Sequence, residues 1–328
     1  MRTESFVEHC EKYKGAIHAH SIAQLSLNLF SYISLAAVSL YAVHAAPWVM
    51  LFSVPLAGGF LVRIFIVQHD CGHGSFFATK EANDAVGRFL SVLTVTPYSY
   101  WRHAHALHHA TSGNLDRRGV GDVKTLTVAE YRALSLVQRF CYRAYRNPLV
   151  ILAFGAPFHF LIHQRVPFGL PKEVPGGWRS IASLNVTLAI VYGSLFYFVG
   201  WQTLAIGLLP IICIGAWVGG WLFFVQHQFE DTFWAKNENW NRQLGAIAGS
   251  SYYVLPKFLQ WFTGNIGLHH VHHLCSKIPN YRLQACLDAC PELQQVNRLT
   301  FWKSLNSARL ALWDEELGKL VGIRAAWS

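Results

Sequence analysis

Four long stretches almost free of charge restrict this chain more than any other feature of its sequence. Residues 24–43, 181–199 and 203–225 contain no Asp, Glu, Lys or Arg, and residues 47–67 contain only Arg63. A helix needs about 20 mainly apolar residues to cross a hydrocarbon layer about 30 Å thick, so each stretch is predicted to span a membrane once. Residues 44–47 join the first pair and residues 200–202 the second, which makes two tight hairpins. Charged residues are only 14% of the chain, where a soluble domain carries about 25%.

Both short connectors lack formal charge, while Lys and Arg gather in the N-terminal segment and in residues 102–146 and 165–179. The positive-inside rule then puts the connectors outside and the rest in the cytoplasm. The formal charge of +9 is assigned to those loops and not to nucleic acid. The first fifteen residues mix acidic and basic side chains and offer no small-residue cleavage site, so the first apolar stretch is expected to stay as an anchor.

Two weaker apolar segments, 85–99 and 148–164, read as interfacial or re-entrant helices, with six spans as the alternative. A single crossing by the first would put the histidine clusters on either side of it on opposite faces. No repeat or Pro-rich linker divides the chain. The expectation is one domain over residues 1–328: an all-α polytopic membrane protein with four transmembrane helices as two hairpins, interfacial helices and a cytosolic cap.

Seven cysteines are scattered without a CxxC pair, so disulfides and a zinc ribbon are not expected. Cys286 and Cys290 share a helix face at i, i+4 and read as buried thiols.

The chemistry lies in the histidines. Of 17, eight fall in three clusters: His69 and His73; His105, His108 and His109; and His269, His272 and His273. The last two clusters share one spacing, i, i+3, i+4, which brings imidazoles together on a helix. Desolvating so many rings beside a membrane is costly unless a metal compensates. These eight exceed what one tetrahedral zinc uses and suit two metals with four or more nitrogen ligands each. His227, just after the fourth stretch, is a ninth candidate. His103 and His270 neighbour the ligands but should point elsewhere. Asp70, Asn114, Asp116, Asp122, Glu230, Asp231 and Asn265 are candidates to orient the rings from behind.

Imidazole alone permits Zn, Cu, Fe or Ni. A site beside lipid, with Tyr98, Tyr100, Trp101, Phe223, Phe224, Trp261 and Phe262 nearby in sequence, suits an apolar substrate. An alkyl chain has no polarised bond to hydrolyse, so oxidation with iron and O2 is the expected chemistry.

Four motifs carry a family resemblance: RIFIVQHDCGHGSFF at 63–77, WRHAHALHHATSGNLDRRGVGDV at 101–123, VQHQFEDTFW at 225–234 and GSSYYVLPKFLQWFTGNIGLHHVHHLCSKIPNYRL at 249–283. With them the chain resembles the membrane fatty acid desaturases, most closely the bacterial acyl-lipid desaturases. The resemblance implies two iron ions held by the eight clustered histidines, with His227 as an additional ligand. It also implies O2 as co-substrate, a phospholipid-bound acyl chain as substrate and ferredoxin or flavodoxin as electron donor. The expected location is the inner cell membrane, with the site facing the cytoplasm.

Two other chemistries fit parts of the pattern. A di-iron hydroxylase or carotenoid oxygenase would use the same clusters. An intramembrane zinc protease would read His69, Asp70 and His73 as a relaxed HExxH, leaving the other clusters without a role.

Overall fold

The computed structural model describes residues 3–167 and 170–327, so Met1 and Arg2 of the N-terminal segment lie outside it. A short helix α1 (Thr3–Glu11) leads into α2 (His18–Ala45), and a 3-10 turn at Pro47–Val49 opens α3 (Met50–His73). Then come α4 (Lys80–Leu93), α5 (Tyr98–Thr111), α6 (Val128–Ala133), α7 (Leu136–Tyr145) and α8 (Ala156–Leu161). The second hairpin is α9 (Gly177–Val199) followed by α10 (Trp201–Gly207) and α11 (Leu209–His227).

Among the described residues, the four helices long and apolar enough to cross a membrane are His18–Ala45, Pro47–His73, Gly177–Val199 and Trp201–His227, which are the four predicted stretches extended at their ends. The second and fourth form the centre, with 50% and 39% of their most apolar windows buried against 28% and 11% for the first and third. Their contact is close because Gly58 has no side chain. A Cβ there would lie 2.5 Å from Ile214 on the facing helix.

Length positions the site. The second and fourth spans have 27 residues each, which at about 1.5 Å per residue rise about 40 Å. The hydrocarbon layer is about 30 Å thick. An excess of that size is enough for the last turns of α3 and α11, with His69, His73 and His227, to project beyond an apolar layer at the end away from both connectors.

The fourth span breaks at Leu208 between α10 and α11. Pro210, in the first turn of α11, has no N–H to return to the preceding turn. The hydroxyl of Ser39 donates to the carbonyl of Gly207 at the break, 2.7 Å away. The lone charge in the four stretches, Arg63, is buried, donates to Asn28 at 2.9 Å and to the carbonyl of Trp261, and lies 3.8 Å over the Trp261 ring.

Neither weaker segment joins the spans. Residues 85–99 divide between α4 and α5, and residues 148–164 form a π-helical turn at Leu149–Gly155, then α8 and a 3-10 turn. The hydroxyl of Thr79 caps α4 by accepting from Ala82 N at 3.2 Å.

The cap is built from α12 (Arg242–Ala248), α13 (Lys257–Phe262), α14 (His269–Leu274), α15 (Asn280–Asp288) and α16 (Phe301–Ser307). It is mostly helical but also holds two small sheets. Strands β1 (Leu126–Thr127), β4 (Leu312–Asp314) and β5 (Lys319–Val321) form one, and β2 (Tyr252–Val254) pairs parallel with β3 (Arg298–Thr300) in the other. Strands this short carry too little alternation to be read from sequence. The second sheet fixes the entry to α14, because Tyr253 N donates to Gly267 O at 2.7 Å. Cys286 and Cys290 are buried in the cap core as expected, with the Cys286 sulfur 3.7 Å from that of Cys10 on α1.

Candidate metal centre

Nine histidines converge in two adjoining groups. His69, His73, His105, His109 and His272 form one, and His108, His227, His269 and His273 form the other. In each group one ring nitrogen from every member lies within 4.8 Å of the others. Residues three and four apart lie on neighbouring lines of one helix face, so each three-histidine cluster presents all its rings to the centre and the rotation of α5 against α14 divides them between the groups. Thus α5 sends His105 and His109 to the first group and His108 to the second, and α14 does the reverse, with His272 to the first and His269 and His273 to the second.

Hydrogen bonds set the tautomers. His227 Nδ1 donates to the carbonyl of Gly249 at 3.0 Å, which leaves Nε2 with a bare lone pair. That nitrogen lies 3.0 Å from His108 Nε2 and 3.0 Å from His269 Nε2. One in-plane lone pair cannot accept from two rings. Two nitrogens bound at right angles to an ion, each about 2.1 Å from it, would lie about 3.0 Å apart. In the other group, His109 Nε2 is 3.1 Å from His105 Nε2 and 3.2 Å from His272 Nε2.

Unpaired buried nitrogens point the same way. Among the described residues, His69 Nε2, His73 Nε2, His269 Nδ1, His272 Nδ1 and both nitrogens of His273 have no hydrogen-bond partner. Leaving them so is costly unless a cation is bound. Burial first, and neighbouring imidazoles second, hold His105, His109, His269, His272 and His273 well below the ordinary histidine range. The rings are therefore neutral, the form that ligates. A set of imidazoles without thiolate or carboxylate fits two borderline cations such as iron.

Carboxylates brace the rings from behind. Asp122 accepts from His108 Nδ1 at 2.6 Å, and Asp70 accepts from His69 Nδ1 at 3.1 Å. The second oxygen of Asp70 takes the backbone and side-chain N–H of Asn280 at 2.7 and 2.9 Å. With both oxygens engaged, Asp70 is not free to serve as the base that a protease reading requires. The other candidate orienting residues do other work: Asn114 and Asp116 meet Asn237, Glu230 pairs with Lys319, Asn265 donates to Asn280 O, and Asp231 is exposed.

Aromatic rings wall the groups. Trp101 stacks on His105 with centroids 4.6 Å apart, and Phe223 lies 5.5 Å from His108 and 5.6 Å from His227. The indole fits because residue 72 is glycine; a Cβ there would lie 2.8 Å from it. His103 is exposed and bonded to Ser99 O, and His270 is bonded to Leu293 O, so neither belongs to a group.

Two supporting features escaped the sequence reading. One is the Gly249 carbonyl behind His227. The other is Arg146, a buried guanidinium that donates to Gln228 Oε1 at 2.8 Å, Leu310 O at 2.7 Å and Lys124 O at 3.3 Å. It joins the Asp122 loop to the end of α11. In the sequence it reads only as one more loop charge.

A fatty acid desaturase, as named, from Bacillus subtilis is 44% identical over 272 residues, covering 82% of this chain and 76% of that protein. An sn-1 oleoyl-lipid 12-desaturase from Picosynechococcus is 28% identical, covering 76% of this chain and 72% of the relative. An sn-1 acyl-lipid omega-3 desaturase (ferredoxin) from Synechocystis is 27% identical, covering 71% of this chain and 65% of the relative. The fatty acid desaturase family profile matches residues 46–304, from the first connector into α16 of the cap with all three histidine clusters inside the match, so the chain belongs to the fatty acid desaturase family.

Proposed function

We propose that the protein places a cis double bond in the acyl chain of a membrane phospholipid, with O2 as co-substrate and electrons from ferredoxin or flavodoxin. The nine histidines are its ligands for two iron ions, and residues 1–328 work as one unit in the inner membrane with the site facing the cytoplasm. The observation that carries this reading is the pair of all-imidazole groups at the ends of two overlong membrane helices. The named substrates of two relatives, an oleoyl-lipid and an acyl-lipid, and the ferredoxin in one name support the substrate class and donor.

Bound here, an iron pair would supply the removal of two hydrogens from adjacent methylenes, with O2, two electrons and two protons leaving as two waters. The chain's own residues provide position and shelter. Asp122, Asp70 and the Gly249 carbonyl hold Nδ1–H on three rings, which keeps their Nε2 lone pairs aimed inward. Trp101 and Phe223 line the groups with apolar surface, which favours a methylene chain over water.

Expression in a bacterium that makes saturated and monounsaturated lipids, with a ferredoxin and its reductase, tests the proposal. Gas chromatography of methyl esters from the phospholipid fraction is expected to reveal new alkenes. Hydroxylated chains without new alkenes would reject it.

A further inference from the structure

An open cavity of about 460 Å³ lies between the third and fourth spans. Leu188, Tyr192 and Phe196 of α9 form one wall, and Leu204, Leu208 and Ile212 form the other. From Leu188 to Phe196 the helix α9 rises about 12 Å. Trp201 stands at the connector end, and Val95, Leu161 and Arg165 stand at the histidine end. The volume lies within the range of about 300–1,000 Å³ usual for small-molecule sites. An apolar cavity does not hold water, and between two membrane spans the apolar filler at hand is a lipid tail.

Arg165 adds a charge at one end. Its Nη1 donates to Asn185 Oδ1 at 3.2 Å and its Nη2 to Val95 O at 2.6 Å, while its buried Nε has no partner among the described residues. Among the described residues no carboxylate pairs with it. Burial lowers its pKa only to about 10, so it remains a cation at neutral pH. A guanidinium held by neutral acceptors at the end of an apolar groove suits a phosphate.

We propose that this groove binds one phospholipid of the leaflet on the histidine side, with an acyl chain between α9 and the fourth span and its phosphate on Arg165. The lipid is not the chain that reacts. Phe160, next to Leu161, meets Phe65 at 5.9 Å; Phe65 meets Trp101 at 5.5 Å; and Trp101 stacks on His105. Three rings therefore separate the groove from the first histidine group. The resident lipid braces α9, the least buried span, whose Ser180 accepts from the backbone N–H of Tyr100 on α5 at 3.2 Å.

Native mass spectrometry of the full chain, purified in mild detergent with dioleoyl phosphatidylglycerol supplied, tests this. Wild type should retain one phospholipid per chain. Ala205→Trp, which fills the groove, should abolish retention, and Arg165→Gln should weaken it about tenfold through loss of a charge-assisted hydrogen bond. Added lipid should raise the Tm of delipidated wild type but not of Ala205→Trp, whose unchanged metal content and elution volume would report an intact fold. Equal retention by wild type and Ala205→Trp, no retention by wild type, or binding of oleate as well as phospholipid would each overturn the proposal. Undiminished retention by Arg165→Gln would overturn the phosphate contact.

Discussion

His108 and His227 meet head to head, Nε2 to Nε2 at 3.0 Å, while each is held from behind, one by Asp122 and the other by the carbonyl of Gly249. Two helices far apart in sequence thus aim bare nitrogens at one point. Rings packed merely for shape would have turned one nitrogen to donate.

The brace can be tested apart from the ligand. Asp122→Ala removes the acceptor behind His108, whereas Asp122→Asn keeps an oxygen there and loses only the charge. Loss of such a partner lowers metal affinity about 10–100-fold. Metal analysis of the Ala variant should fall from about two ions per chain toward one, with the Asn variant between it and wild type. Full metal content and activity in both variants would remove His108 from the ligand set.

His227 is the isolated member of the nine, and a neighbouring control exists. His227→Ala should abolish turnover and cost one ion, because the second group has only four members. His103→Ala, on an exposed ring bonded to Ser99 O, should retain most activity. Comparable losses in the two variants would reject the grouping.

Much of this arrangement is legible in the sequence. Absence of charge marked the four spans, since one ion in hydrocarbon is costly. Equal spacing marked the histidine clusters, since the helical repeat sets which rings share a face. The allocation of His108 to one group and His105 and His109 to the other was not legible, because it depends on how α5 is rotated against α14. The bracing residues divided on the same ground. Asp122 and Asp70 stood out as carboxylates near clusters, but Asn114 and Glu230 looked equally good and serve turns and surface pairs. Gly249 acts through a backbone carbonyl that every residue possesses, and Arg146 acts by long-range contacts that no local pattern records.

Acid should destabilise the metal-free protein in a defined window. Burial and crowding hold His105, His109, His269, His272 and His273 well below the ordinary value in the folded chain, while in the unfolded chain they take protons below about pH 6.5. The unfolded state then binds more protons, so stability is intact above that pH and is lost as pH falls toward the folded-state values. Each ring contributes up to about 1.4 kcal/mol per pH unit. Thermal melts of chelated protein should be flat above about pH 7 and fall steeply toward about pH 5. A flat profile across that interval would show that the rings are not buried neutral.

Gly72 offers a test in which helix propensity and packing oppose each other. Alanine within a helix is favoured over glycine by about 1 kcal/mol, so an unconstrained site would gain stability from Gly72→Ala. Here the new Cβ would lie 2.8 Å from the Trp101 indole, which is stacked on His105. Overpacking of this kind costs about 1–3 kcal/mol, which outweighs the gain and pushes the indole against the first histidine group. Gly72→Ala should therefore lower both Tm and turnover. Trp101→Phe presents a smaller ring at the same place, so the double variant should recover part of the loss, a coupling read from a mutant cycle. Additive effects would mean that residue 72 does not control how Trp101 rests on His105.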